Sequence, residues 1–353
     1  MVIAKNRYIF AAKKVEDMNT LFDKTTLRNL ELRNRVWRSA TWLALADESG
    51  QVNDAIVQTY EELAKGGVAA IITGITSVVK DDEEVDEGAK FYDDSFIEGH
   101  RRLTEAVHRH NCKIFLQAAK INGPVDQLTT EQVEQLVSQF GDAARRAEAA
   151  GYDGVQIHAA HFFYLSRFVS PIFNHRTDRF GRSVEGRAQI LLEILRDMRS
   201  KTTPEFCITM KINSSDEHPG GVTEQDFLLT SKLLADAGID AIEVSANGTS
   251  RSGIRAGVNE GSFLEAAMKL AAFVDTPVIL VGGLRSVGKI NDILNDTAIQ
   301  YVSLSRPLIR EPNLISRWQQ GDTTPSKCIS CNACYGTPGH QCIFNLRASQ
   351  LRQ

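Results

Sequence analysis

The sequence predicts one α/β fold, a (β/α)8 TIM barrel carrying a short cysteine-rich C-terminal extension. Three observations lead there. Eight short runs rich in Val, Ile and Ala recur along the chain, each followed by an amphipathic, helix-like stretch. Several of those stretches end on glycine before the next run, at Gly66-Gly67, Gly151 and Gly238, as helices commonly do. Polar residues gather at the C-terminal ends of the runs, the face on which such barrels carry their sites.

In chain order, the first run, 35–41 (RVWRSAT), ends on Ser39, Ala40 and Thr41, with Trp42 following. The second, 69–76 (AAIITGIT), brings Gly74 and Ile75 to its end, and the third, 113–119 (KIFLQAA), brings Gln117. A helix is predicted over 131–150. The fourth run, 154–160 (GVQIHAA), carries His158, with His161 three residues later. A long polar connection through Ser170, Pro171, Asn174, Arg176, Thr177, Asp178 and Gly181 leads into a new helix. The fifth run, 206–213 (FCITMKIN), holds Lys211 and precedes a predicted helix over 223–237. The sixth, 241–247 (AIEVSAN), ends on Asn247. The seventh, 277–283 (PVILVGG), ends on Gly282 and Gly283, and the eighth, 301–307 (YVSLSRP), on Ser305 and Arg306. Near-continuous apolar strands suit a parallel sheet covered by helices. A doubly wound sheet is disfavoured, because no G-x-G-x-x-G follows the first strand.

At 353 residues the chain fits one barrel. We divide it into an N-terminal extension at 1–20, the barrel at 21–325 and the cysteine-rich tail at 326–353. Hydrophobic residues make up 42% and charged residues 24%, and the net charge of −4 gives no reason to expect nucleic acid or an anionic membrane as partner. No run approaches transmembrane length. Lys5, Arg7, Lys13 and Lys14 interrupt the apolar start, a poor signal peptide, so the expected location is cytoplasmic.

The ends of runs seven and eight are where many barrels bind a phosphate, through backbone N–H groups and an incoming helix. Glycine lets the backbone approach, and the forked guanidinium of Arg306 matches phosphate oxygens. Gln117, Lys211 and the two histidines complete a polar ring suited to a flat cofactor. Cys112 and Cys207 stand alone and read as buried small hydrophobes. Cys328, Cys331, Cys334 and Cys342 form a four-thiol cluster that suits [4Fe–4S] or a structural zinc, with an unmetallated tail as the alternative.

These residues bring the chain close to a known family. The stretches LFDKTTLRNLELRNRV from Leu21, IHAAH at 157–161 and SPIFNHRTDRFGRS at 170–183 resemble the old yellow enzyme family of FMN-dependent NADH:flavin oxidoreductases, and PVILVGGLRS at 277–286 and SLSRPLIREPNL at 303–314 extend the match. The tail resembles the branch with a cysteine cluster after the barrel, as in dienoyl-CoA reductase, although its second and last spacings are shorter here. The resemblance implies FMN as cofactor and NAD(P)H as a transient substrate. Ser39, Ala40, Thr41, Gly74, Ile75 and Gln117 would line the flavin, Lys211 would sit beside its N1–C2=O edge, and Gly282, Gly283, Ser305 and Arg306 would hold its phosphate. His158 and His161 would be catalytic, donating hydrogen bonds to a substrate oxygen above the ring, with Trp42 and Phe163 also on the substrate side.

Three departures bear on the chemistry. Phe163 stands where the family carries a proton-donating tyrosine, and Tyr164 beside it is expected to point elsewhere. Trp42 replaces the usual Cys or Thr, and its indole is expected to stack in the pocket or partly close it. The connection after the third run is short, which predicts an open flavin face or one covered by another subunit of a homo-oligomer. The implied activity is hydride transfer from NAD(P)H through flavin to an unsaturated carbonyl or another acceptor. The alternatives are an iron–sulfur flavoprotein reduced by a separate donor, and a flavin-binding protein that has lost ene-reductase activity.

Overall fold

The structure is a computed structural model describing residues 18–80, 82 and 88–350. The predicted N-terminal extension lies almost wholly outside the described residues. A closed ring of eight parallel strands forms the centre, each hydrogen-bonded to the next in sequence. They are β1 (Val36–Arg38), β2 (Ala70–Ser77), β3 (Lys113–Ala119), β4 (Gly154–Ala159), β5 (Cys207–Asn213), β6 (Ala241–Ser245), β7 (Val278–Val281) and β8 (Tyr301–Leu304). The ring closes because β1 pairs on both sides, with Leu304 opposite Arg38 and Ala70 opposite Trp37. A two-residue segment, Ala89–Lys90, adds to the end of β2. Each strand matches one predicted run.

The principal helices on the outside are α1 (Asp54–Lys65), α2 (Ile97–His108), α3 (Thr130–Ala149), α4 (Val184–Lys201), α5 (Glu224–Asp236), α6 (Leu264–Ala271), α7 (Val287–Asp296) and α8 (Leu314–Gln319). Two of the starts are written locally: Thr129 with Gln132, and Thr223 with Asp226, form reciprocal capping boxes that satisfy helix-end N–H groups. An antiparallel hairpin, Thr25–Leu27 with Leu30–Leu32, plugs the N-terminal end of the barrel. Its leucines pack on Trp37, whose ring lies 5.0 Å from Phe115 and 5.7 Å from Tyr301. The opposite end is left for the site. Cys112 and Cys207 are buried, as their apolar settings predict.

Five strands stop short of their predicted ends, β1 and β8 by three residues, β6 and β7 by two and β4 by one. Ser39–Thr41, Gly282–Gly283 and Ser305–Pro307 leave the ladder at the C-terminal mouth. Gly282 and Gly283 adopt φ of 110° and 77°, which breaks strand pairing and turns their backbone toward the opening. After β4 the chain is less regular than its sequence implies. His161 and Phe162 are left-handed, at φ 64° and 57°, and a short helix, Tyr164–Val169, follows.

The long polar connection after that helix is held by its own side chains. Asn174 Nδ2 donates to Phe168 O at 2.7 Å and Phe180 O at 2.8 Å, and Arg176 pairs with Asp178. Beyond α8 the tail is tied back to the barrel. The Glu311 carboxylate accepts from Lys327 N at 2.6 Å, and the buried Arg285 guanidinium donates to Ser330 Oγ at 2.6 Å and Cys328 O at 3.2 Å.

Candidate active site

A cleft of about 1100 Å³, counted to its open mouth, occupies the C-terminal end of the barrel. Predicted residues from seven loops and strand ends reach its wall: Ser39, Ala40, Thr41 and Trp42 from β1, Ile75 from β2, Gln117 from β3, His158, His161 and Phe163 from β4, Lys211 from β5, Gly282 and Gly283 from β7, and Ser305 and Arg306 from β8. Gly74 sits just behind, its N–H donating to Tyr60 Oη at 2.6 Å. Asn247 lies outside the wall, bonded to Asn213 and to Asp216 O.

Strand register explains the floor. Residues opposite one another on neighbouring parallel strands turn to the same side. Gln117 pairs with Gln156, His158 with Lys211, and Lys211 with Glu243. The result is one buried chain of polar groups. Gln117 Nε2 donates to Gln156 Oε1 at 2.9 Å, and Gln156 Nε2 donates to Glu243 Oε2 at 2.7 Å. Glu243 Oε1 accepts from Ser39 Oγ at 2.8 Å and Ser303 Oγ at 2.6 Å. Lys211 Nζ reaches Glu243 Oε2 at 3.3 Å and donates to Ser39 Oγ at 3.0 Å. Sequence reasoning missed Gln156, Glu243 and Ser303. The available signal was a polar side chain inside an otherwise apolar strand.

The histidines lie on the wall beside this floor. Their rings are 5.2 Å apart and nearly perpendicular. Burial, reinforced by the positive charge of Lys211, holds His161 down to about 3. Burial pushes His158 well below the usual imidazole range, and His161 and Lys211 act in the same direction. Both rings are therefore neutral at pH 7 and donate one N–H each. His161 Nε2 pairs with Ser245 Oγ at 2.8 Å, while His158 Nδ1 has no hydrogen-bond partner among the described residues. A buried orphan of this kind suits a ligand atom. The Phe163 ring packs 4.7 Å from His158. Tyr164 turns away, its Oη donating to Pro124 O at 2.8 Å.

Opposite, Gly282 and Gly283 run past the cleft into the start of α7, and Arg306 is held by Arg251 O and Asn332 Oδ1. Arg306 also borders a second cavity of about 340 Å³ lined by Cys328, Cys331, Cys334 and Cys342. All four thiols are unpaired. Arg285 approaches Cys328 Sγ at 3.9 Å, and Arg310 approaches Cys342 Sγ at 4.0 Å. Among the described residues, no three His, Cys, Asp or Glu side chains come close enough to share one metal ion. The tail further contributes Tyr335 and His340 to the cleft wall, a placement that no sequence pattern predicts. No described helix is long and apolar enough to cross a membrane.

The model of the NADH:flavin oxidoreductase / NADH oxidase family matches residues 20–127 and 118–324. The chain is 29% identical over 363 residues to the NADH oxidase of Thermoanaerobacter brockii, covering 93% of this chain and 54% of that protein. It thus spans about half the length of that relative. It is 27% identical over 384 residues to the 4,4'-dithiodibutanoate disulfide reductase of Rhodococcus erythropolis, covering 92% and 94%. Among solved structures, 2-naphthoyl-CoA reductase superposes with a TM-score of 0.82 at 21% identity, over 89% of this chain and 54% of that one, and so shares the fold.

Proposed function

Because the chain belongs to the NADH:flavin oxidoreductase / NADH oxidase family, the old yellow enzyme family, we propose that its cleft holds FMN and serves hydride transfer from NAD(P)H to an unsaturated carbonyl or a related acceptor. The observation that carries this reading is the convergence of Gln117, Lys211, two neutral histidines, Gly282-Gly283 and Arg306 on one opening. The fit is chemical. The Nδ1 of His158 is an unfilled polar position, and the glycine backbone and the guanidinium are donors without a charged protein partner among the described residues, as a polyanionic ligand requires. When bound, FMN supplies two-electron, hydride-level chemistry.

The residues divide the remaining work. Gly282, Gly283, Ser305 and Arg306 bind the phosphate, through backbone N–H groups and the fork of Arg306. Gln117 orients the ring system from the floor. Lys211 places a cation where negative charge develops on reduction, a stabilisation strengthened by exclusion of water. His158 and His161 bind the acceptor oxygen as neutral donors and orient the reacting carbon. Phe163 donates no proton, so a carbon protonated after hydride transfer takes its proton from solvent or from another cleft group. Unpaired thiols suit a reducing cytoplasm.

One observation favours a second route for electrons. The four tail cysteines line a single cavity that shares Arg306 with the cleft, and thiolates are the ligands an iron–sulfur cluster takes. Such a cluster would supply one-electron transfer from a separate donor.

The test is the absorbance spectrum of anaerobically purified protein before and after NADH or NADPH. Bound flavin bleached by pyridine nucleotide and restored by an enone supports the leading reading. Flavin reduced by dithionite alone favours the separate donor. Protein that neither retains nor takes up FMN would end both.

A further inference from the structure

The short connection after β3 runs from Lys120 to Thr129 and leaves the cleft rim bare, yet the rim is not open. The tail comes back across it. His340 Nδ1 lies 2.8 Å from the carbonyl oxygen of Trp42, and its ring stands edge-on to the Trp42 indole at 5.3 Å. Tyr335 is edge-on to His340 at 5.7 Å, and its hydroxyl lies 2.5 Å from Ser250 Oγ on the far side of the cleft. Trp42, Ser250, Tyr335 and His340 all line the same opening. The segment therefore spans the mouth from the β6 side to the β1 side. Both of its ends are cysteines of the thiol-lined cavity: Cys334 immediately precedes Tyr335, and Cys342 follows His340 by two residues.

We propose that residues 335–340 are a strap covering the cleft, that Tyr335 and His340 select acceptors by size, and that the cysteines at its ends control how firmly it is seated. Among the described residues, the contacts that hold it down include one hydrogen bond and one aromatic edge at Trp42, one hydroxyl pair at Ser250 and the approach of Gly339 to Leu45. Such a segment belongs to the low-stability end of a fold and responds to its anchors. A metal centre that took up both Cys334 and Cys342 would fix both ends over the opening. Freeing or alkylating the thiols lets the strap lift.

The strap can be tested without any bound flavin. The chain has three tryptophans; Trp37 and Trp318 are buried, while Trp42 is 41% exposed, so iodide quenching of the full-length protein reports Trp42. His340→Ala should raise the quenching constant roughly twofold by removing the ring that shields the indole. Alkylation of the as-purified protein with N-ethylmaleimide, and the Cys334→Ser/Cys342→Ser variant, should move it the same way. Trp42→Phe should abolish the quenchable emission. Unchanged quenching in both His340→Ala and the alkylated protein, with native circular dichroism, would overturn the proposal.

A second arm rests on the proposed function. In FMN-loaded protein, Tyr335→Ala and His340→Ala should raise kcat/KM for a bulky enone over a small one by about tenfold. An unchanged ratio in active variants would overturn size selection. Inactivity of parent and variants alike, with the quenching shift intact, would count against the flavin reading and leave the strap standing.

Discussion

Lys211 and Glu243 face each other across adjacent strands at the bottom of the cleft, with Nζ 3.3 Å from Oε2 and both side chains shut off from solvent. The carboxylate also accepts from two serines and an amide, so its capacity is nearly filled. A buried pair of this kind specifies geometry more than it stabilises, but breaking it strands a charge.

Glu243→Ala should therefore destabilise the protein by about 3–5 kcal/mol, read from urea unfolding of the apo-protein. Glu243→Gln keeps the size and several hydrogen bonds while leaving Lys211 uncompensated. Its net positive charge should favour reduced flavin, raising the midpoint potential by about 30 mV for each tenfold shift in the reduction equilibrium. A potential that stays put or falls would show that Lys211 does not act at the flavin.

The buried histidines set an acid limit on stability. His100, packed against Phe91 and paired with Tyr152 Oη, is pushed by burial to about 3, like His161. In the unfolded chain each imidazole takes a proton near pH 6.5, while the folded protein refuses it until far lower pH. Stability is fully present above about pH 6.5 and falls as pH drops toward 3, by about 1.4 kcal/mol per unit for each histidine. His161→Gln should flatten the fall in urea midpoint between pH 6.5 and 5. An identical slope in the variant would show that His161 is protonated in the folded state.

Phe163→Tyr restores a phenol beside His158, where the rings are 4.7 Å apart. If proton delivery limits enone reduction, anaerobic turnover should rise by up to about 10²-fold, the usual scale for a positioned general acid. Flavin reduction by NAD(P)H should not change. No gain in enone turnover would place the limiting step elsewhere.

Gly282 carries the backbone past the cleft at φ 110°, and a β-carbon there would lie 2.8 Å from Phe263 Cδ2. Gly282→Ala should impose about 1–3 kcal/mol of strain and weaken FMN binding by about tenfold or more, measured by flavin fluorescence titration. Unaltered affinity would remove this loop from the phosphate site.

The eight strands were legible because each is a short, nearly continuous Val/Ile/Ala run, the mark of a strand buried on both faces. Closure of such strands into a barrel sends every C-terminal end to one side, so Gln117, His158, Lys211, Gly282, Gly283 and Arg306 were legible as neighbours as well. The boundaries were less so at β1, β7 and β8. At β7 the positive φ of Gly282 and Gly283, rather than composition, ends the strand. Gln156, Glu243 and Ser303 escaped notice because a polar residue inside an apolar run has no readable partner until register is known.

By itself, then, the sequence determined the barrel and most of the residues around its mouth, since alternating strands and helices with polar strand ends admit few other arrangements. Tertiary structure alone decided the rest. It joined Lys211 to Glu243 through strand register, made the histidines neutral by burying them beside a cation, and folded the tail so that Tyr335 and His340 reach Trp42 and Ser250. Those contacts link positions dozens to hundreds of residues apart, and no local pattern encodes a distance that only chain closure creates.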